Sequence, residues 1–237
     1  MKDILIIPDL HGRKFWRDPV TKYLNNSDTY IIFLGDYLDP YPSIDGITAE
    51  EAFEEFKHLI QTVKTANNVT LLLGNHDLNY WGKMVPFKGC RKDMERKYDI
   101  ATLFNDNKSL FKVAYEYDKY LFTHAGVILN WFNRFCIDQP LNSETLNTLI
   151  NKPNALMQVP CERGGYCMYG SCVWADITEH VYNKDIGYYQ IFAHSYQYVT
   201  KEPIIQPNFA MLDCAKAFIL NLETGLISEF KEENLEN

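Results

Sequence analysis

Asp9 and His11 stand two positions apart just after an apolar run, a carboxylate and an imidazole that together can share a cation. If the chain is still extended there, side chains alternate and both project to the same side. Donors of this kind recur behind later apolar runs. Gly35-Asp36-Tyr37-Leu38-Asp39 and Gly74-Asn75-His76-Asp77 each begin with a glycine that lets the backbone turn tightly beside a ligand. Leu121-Phe122-Thr123-His124-Ala125-Gly126 and Ile191-Phe192-Ala193-His194-Ser195 each set a histidine after apolar residues, so four of the six histidines occupy such places. Taken singly, each segment reads as a turn former or a hydrogen-bonded histidine. The ordered set of five is far less expected by accident than any one of them.

The elements that must position these donors are compact apolar runs at 4–7, 30–34, 69–73, 121–123, 189–192 and 218–222, suited to strands buried on both faces. Between the second and third, Phe53, Phe56, Leu59, Ile60 and Val63 repeat at helical spacing, and Thr48 with Glu51 forms a capping box. Strand and helix alternate through the first 75 residues, which predicts βαβ crossovers. The segment 109–126 reads as two strands turning at Asp118 and Lys119, so the sheet is mixed. Neighbouring strands would deliver their donors to one edge, outside the carboxyl ends, where open α/β sheets form their sites. Residues 151–172, with Pro153, Pro160, Gly164, Gly165 and Gly170, have no period and predict a functional or mobile loop facing the substrate. With no linker or repeat, residues 1–237 are expected to form one domain.

Hydrophobic residues at 46% and charged residues at 23% are ordinary for a globular chain, which excludes disorder and fibrous repeats. A formal charge of −8 argues against a nucleic-acid coat or an anionic membrane surface as partner. Phosphate can still bind where metals supply local positive charge. The opening apolar run, broken by Pro8, is too short for a signal peptide or a membrane span, so a cytoplasmic protein is expected. Of the six cysteines, Cys161, Cys167 and Cys172 lie close together without a CxxC pair and read as reduced loop residues rather than a zinc site.

The order DLH, GDYLD, GNHD, THAG and AHS, spanning positions 9 to 194, resembles the calcineurin-like metallophosphoesterases, whose pattern runs DxH, GDxxD, GNH(D/E) and two later histidine motifs. THAG and AHS are more similar to the serine/threonine phosphatase and bacterial diadenosine tetraphosphatase branch than to the branch ending in GHxH. Val173-Trp174-Ala175-Asp176 and the segment FAMLDCAKAFIL resemble that branch too. The resemblance implies an α/β sandwich of two mixed sheets flanked by helices. It implies that Asp9 and His11 bind one metal, that Asn75, His124 and His194 bind the other, and that Asp36 bridges both, a carboxylate being able to bridge through its two oxygens. Two divalent or trivalent transition metals are implied, and oxygen and imidazole donors without thiolate suit Mn, Fe, Zn or Co. Two such ions roughly 3.5–4 Å apart lower the pKa of a shared water and stabilise both oxygens of an in-line displacement. By the same resemblance His76 is a general acid and Asp39 orients its ring. The blander role for His76 is an outer hydrogen bond to the site.

The sequence departs from the branch at Pro40, where the phosphatases carry an arginine that holds the substrate phosphate. Arg163, in a glycine-rich segment, is the candidate substitute because a guanidinium forks around phosphate; Arg13 is the runner-up. Tyr166 and Tyr169 are candidates to stack a base, while His58 and His180 read as structural or solvated. The substrate would be a phosphorylated small molecule, a nucleotide or a phosphoprotein. A phosphomonoesterase of protein-phosphatase-like type is the first reading, and a diadenosine polyphosphate hydrolase or phosphodiesterase is the rival. A non-catalytic metal-binding scaffold is the alternative of another class. Oligomeric state is not legible.

Overall fold

Along β1 (Asp3–Ile7), successive side chains enter different hydrophobic cores, the period-two alternation of a strand buried on both faces. Ile4 and Ile6 join one core, and Leu5 and Ile7 join the other. β2 (Thr29–Phe33) repeats the pattern, with Ile32 on the side of Ile4 and with Ile31 and Phe33 on the side of Leu5. β3 (Val69–Leu72) splits Leu72 from Leu71 in the same way. Each fully buried aliphatic side chain contributes about 1.5–3 kcal/mol, against about 1–2 kcal/mol to order a backbone residue. Strands of this composition can therefore anchor less comfortable backbone at their ends.

The computed structural model describes residues 1–82, 87–88, 90–183 and 185–231. After β3 come β4 (Phe111–Lys112), β5 (Ala114–Tyr117), β6 (Tyr120–Thr123), β7 (Tyr189–Phe192), β8 (Ile204–Ile205), β9 (Phe209–Met211), β10 (Phe218–Asn221) and β11 (Ile227–Glu229). One sheet has the order β11-β10-β1-β2-β3-β4 and the other β5-β6-β7-β9-β8. Both are mixed. β1 to β4 run parallel while β10 is antiparallel to β1, and β6, β7 and β9 run parallel while β5 and β8 are antiparallel to their neighbours. The sheets face each other across the core that holds Ile4, Ile6 and Ile32 from the first and Phe122, Ile191 and Ala210 from the second. The α/β sandwich of two mixed sheets flanked by helices is therefore the observed architecture.

The helix Ala49–Val63 carries its capping box as expected: the Glu51 N–H donates to Thr48 Oγ1, and the Glu51 carboxylate accepts from the Thr48 backbone. Ala52, Phe56, Leu59, Ile60 and Val63 form its buried face, whereas Phe53 is only partly buried. The hairpin of β5 and β6 turns at Asp118, in the left-handed region at φ 52°. Segment 151–172 differs from the expected irregular loop. It holds a helical turn at Pro153–Leu156 and a 3-10 turn at Cys161–Arg163, and Ala155, Leu156 and Val159 bury apolar surface that periodicity did not reveal. Cys161 is exposed and Cys172 buried, and neither they nor Cys167 join a metal-ligating group among the described residues.

Candidate active site

Three parallel strands of each sheet end at one edge, and each end delivers a polar residue. Asp9 follows β1, Asp36 follows β2 and Asn75 follows β3; His124 follows β6 and His194 follows β7. Asp213 follows β9 in the same way. The backbone at this edge is strained. His11 (φ 45°), Asp36 (53°), Asp39 (59°) and His194 (68°) all lie in the left-handed region, at about 1–3 kcal/mol each. The extended chain expected between Asp9 and His11 is thus not what brings them together, since the turn at His11 re-aims its ring. Hydrogen bonds hold the turns: His11 N–H donates to Asp36 O at 2.8 Å and Gly12 N–H to Tyr37 O at 3.0 Å. Asp77, fully buried, accepts from the N–H groups of Asp36, Tyr37 and Gly74, joining the second and third strand ends. A Cβ at Gly74 would overlap the Asp36 carboxylate, which explains the glycine.

Two groups of buried donors result: Asp9, His11 and Asp36, and Asp36, His124 and His194. His11 Nε2 lies 3.9 Å from Asp9 Oδ2 and 3.6 Å from Asp36 Oδ2. His124 Nε2 lies 3.5 Å from the same Asp36 oxygen, 3.0 Å from Asn75 Oδ1 and 3.1 Å from His194 Nδ1. The other nitrogens set the tautomers, because the Nδ1–H groups of His11 and His124 donate to Leu38 O and Leu34 O, each at 2.8 Å. Both Nε2 atoms are then bare. A bare nitrogen facing a carboxamide oxygen at 3.0 Å with no proton between them is a repulsive pair that a cation makes attractive. Asp36 turns only Oδ2 toward both imidazoles, because Oδ1 accepts the His76 N–H at 2.9 Å.

Electrostatics point the same way. Burial, with Asp213 and Asp36 nearby, pushes the Asp9 carboxyl well above the usual carboxylate range, and burial lifts Asp213 to about 7. Burial also drives the His11 imidazole down to about 3 and His194 well below its ordinary value. Crowded carboxylates beside imidazoles that stay bare are unfavourable alone and are relieved by bound cations. His76 is the exception. Burial opposes its charge, but Asp36 and the hydrogen bond to Asp39 outweigh it and hold its pKa well above the usual value. Its Nδ1–H donates to Asp39 Oδ2 at 2.9 Å, and the Tyr80 hydroxyl donates to the other Asp39 oxygen.

Asp9, His11, Asp36, Asn75, His76, His194 and Arg163 line one cleft of about 150 Å³, with Asp39 and His124 immediately behind. Arg163 reaches it from the 3-10 turn, where Nη2 donates to Ser195 Oγ and Nε sits 2.8 Å from Asp176 Oδ2 without hydrogen-bond alignment. Arg13 does not line the cleft; it forks onto Asp45 at 3.0 and 2.9 Å and packs over Tyr196. Tyr166 is 97% exposed, and neither it nor Tyr169 lines the cleft. His58 packs beside Trp16, and His180 is buried against Phe192. Sequence reasoning passed over Tyr80, Cys90, Arg91 and Asp213. Only Asp213 had a readable signal, a carboxylate placed after the apolar run FAML as the other donors are placed after theirs.

Residues 2–198 match the sequence profile of the calcineurin-like phosphoesterases. The chain belongs to that family. The phosphoesterase is accordingly a metal-dependent hydrolase of phosphoester bonds, and the two donor groups are where its residues could hold metal. Among solved structures it is similar to a mutant cold-active protein tyrosine phosphatase, 15% identical over 98% of this chain and 81% of that one, with a TM-score of 0.55. The cold-active protein tyrosine phosphatase of a psychrophilic Shewanella is 15% identical over the same shares, with a TM-score of 0.52. A putative diadenosine tetraphosphatase is 14% identical over 98% of this chain and 95% of that one, with a TM-score of 0.50. At these identities the likeness is one of fold. No curated protein matches the chain in sequence. Among the described residues no helix is long and apolar enough to cross a membrane.

Proposed function

We propose that this phosphoesterase is a phosphomonoesterase of protein-phosphatase-like type, acting on phosphorylated small molecules or phosphoproteins with two ions of Mn, Fe or Zn. One observation carries the reading: two donor groups share Asp36 Oδ2 beside an imidazole that Asp39 orients. Asp9 and His11 would hold one ion, Asn75, His124 and His194 the other, and Asp36 both. When bound, the pair supplies Lewis acidity toward phosphoryl oxygens and a nucleophile at neutral pH. His76 gives a proton from Nε2 to the leaving oxygen. Asp39 accepts from its Nδ1–H, fixing the ring and favouring the imidazolium, and the Tyr80 hydroxyl steadies that carboxylate. Arg163 binds the phosphoryl oxygens of the substrate, and Trp174, 5% exposed and edge-on to His194, shields the cleft from water.

A non-catalytic scaffold has no use for the His76–Asp39 pair. Tyr166 and Tyr169, the base platform expected for a diadenosine polyphosphate hydrolase, lie outside the cleft, which Tyr41, Phe87 and Trp174 line instead. Six unpaired cysteines suit a reducing compartment and hence the cytoplasm. The deciding experiment is turnover of a panel of phosphomonoesters, phosphodiesters and dinucleotides with added Mn, before and after chelation. Monoester turnover that chelation abolishes supports the reading; turnover confined to dinucleotides, or unaffected by chelation, overturns it.

A further inference from the structure

The six arginines of the chain divide by what neutralises them. Arg13 pairs with Asp45, Arg17 with Glu55, Arg96 with Asp93 and Arg163 with Asp176. Arg134 lies over the Phe135 ring and does not line the cleft. Arg91 does line it, and its contacts among the described residues include no carboxylate. It is nonetheless held in place. Nη2 donates to the Asp39 carbonyl at 3.1 Å, and the guanidinium carbon sits 3.4 Å from the centre of the Tyr41 ring. Tyr41 in turn packs edge-on to His11, with ring centres 4.9 Å apart. A carbonyl and an aromatic face fix the plane of the fork without cancelling its charge, and they leave further N–H donors for a ligand.

The position of Arg91 relative to His76 decides which part of a substrate it meets. It is anchored on the backbone of Asp39, whose carboxylate orients His76. It also follows Cys90, whose Sγ lies 3.6 and 3.7 Å from the two His76 ring nitrogens. Arg163 is held elsewhere, by Ser195 and Asp176 beside His194. The two guanidiniums are therefore anchored on different residues around the cleft, Arg91 beside His76 and, through Tyr41, His11, and Arg163 beside His194.

We propose that Arg91 binds an anionic group on the leaving portion of the substrate, so that the preferred phosphoesters carry a second phosphate or a carboxylate on that side. The inference rests on His76 being the acid that faces the leaving oxygen. An arginine fork accepts either oxyanion, and the transferred phosphoryl group falls to Arg163.

Non-hydrolysable probes separate these roles. Calorimetric binding of benzylphosphonate, 4-carboxybenzylphosphonate and p-xylylenebisphosphonate would be compared for the metal-loaded wild type, Arg91→Ala and Arg91→Lys. The charged probes should bind the wild type roughly ten- to a hundred-fold more tightly than benzylphosphonate, the range for hydrogen bonds to a charged group. Arg91→Ala should lose that increment while its affinity for benzylphosphonate is kept, and Arg91→Lys should recover part of it. The two increments tell carboxylate from phosphate. Equal weakening of all three probes by Arg91→Ala would assign Arg91 to the transferred phosphoryl group and overturn the inference, as would a wild type that ignores the added charge. Failure of the wild type to bind benzylphosphonate at all would instead overturn the reading of the site, and this inference with it.

Discussion

The backbone N–H of His76 donates to Asp36 Oδ1 at 2.9 Å, which leaves Oδ2 as the only Asp36 oxygen facing His11 and His124. The residue proposed to deliver the proton thereby fixes the rotamer of the residue proposed to join the metals. An asparagine at position 36 cannot serve both ends. With its oxygen kept on the His76 N–H, its NH2 group, which has no lone pair to offer a cation, would stand where the ions need an oxygen. Asp36→Asn should lower affinity for both ions by at least roughly 100-fold, since changing even outer partners of metal ligands costs 10–100-fold. Elemental analysis after dialysis checks this, and two ions retained at wild-type affinity would rule out the shared oxygen.

For His76 the expected signature is selectivity between leaving groups. A general acid contributes about 10²–10⁴ in rate and matters most for poor leaving groups. His76→Ala should impair alkyl phosphate hydrolysis far more than p-nitrophenyl phosphate hydrolysis, with metal content unchanged, and Asp39→Asn should show a weaker form of the same bias. Steady-state kinetics on the two substrates decide it. Equal losses would make His76 a binding residue, and a lost ion would make it a ligand.

Arg163 and Arg13, both candidates from sequence, should now behave differently. Arg163→Ala should lower kcat/KM by roughly ten- to a hundred-fold through a lost phosphate contact. Arg13→Ala should leave KM alone and destabilise the fold by roughly 1–3 kcal/mol, because it leaves the partly buried Asp45 carboxylate without its fork. Urea unfolding beside kinetics on both variants tests the pair, and a KM effect at Arg13 without loss of stability would reverse the assignment.

His180 predicts a pH dependence of stability. Burial lowers its pKa to about 4, and the neutral ring donates through Nε2–H to Ala125 O at 2.9 Å. The unfolded chain takes up a proton near the ordinary pKa of about 6.5. The contribution is therefore whole above about pH 6.5 and is lost as the pH falls toward 4, about 3 kcal/mol in all. His180→Gln removes this titration, so the stability of the wild type relative to the variant should drop by that amount between pH 7 and 4. A flat difference in urea unfolding would exclude His180 as the source.

The sequence made the strand ends legible because a buried parallel strand writes its burial as an unbroken apolar run, and the donors follow directly. Ile4 to Ile7 before Asp9 and residues 189–192 before His194 are such cases. Asp213 obeyed the same rule but lacked a glycine or histidine to draw notice. Arg91 could not be found this way, since its value comes from the carbonyl of Asp39 and the ring of Tyr41, both distant in the chain. The single-oxygen geometry of Asp36 was hidden for the same reason, because the N–H that fixes it belongs to another strand end. The helical turn Pro153–Leu156 was missed because one turn is too short to show a period.

Donors drawn from strand ends so far apart along the chain also impose an order on biosynthesis. The group of Asp9, His11 and Asp36 lies within the first 36 residues, whereas the second group is incomplete until His194 has been made and β7 has inserted between β6 and β9. Until then β1 also lacks β10, its antiparallel neighbour. A nascent chain emerging from the ribosome can thus present at most half of the centre, and truncated products ending before residue 194 cannot assemble the other half. On the proposed ligand set, metal loading would in this sense be a late checkpoint on the completeness of the polypeptide.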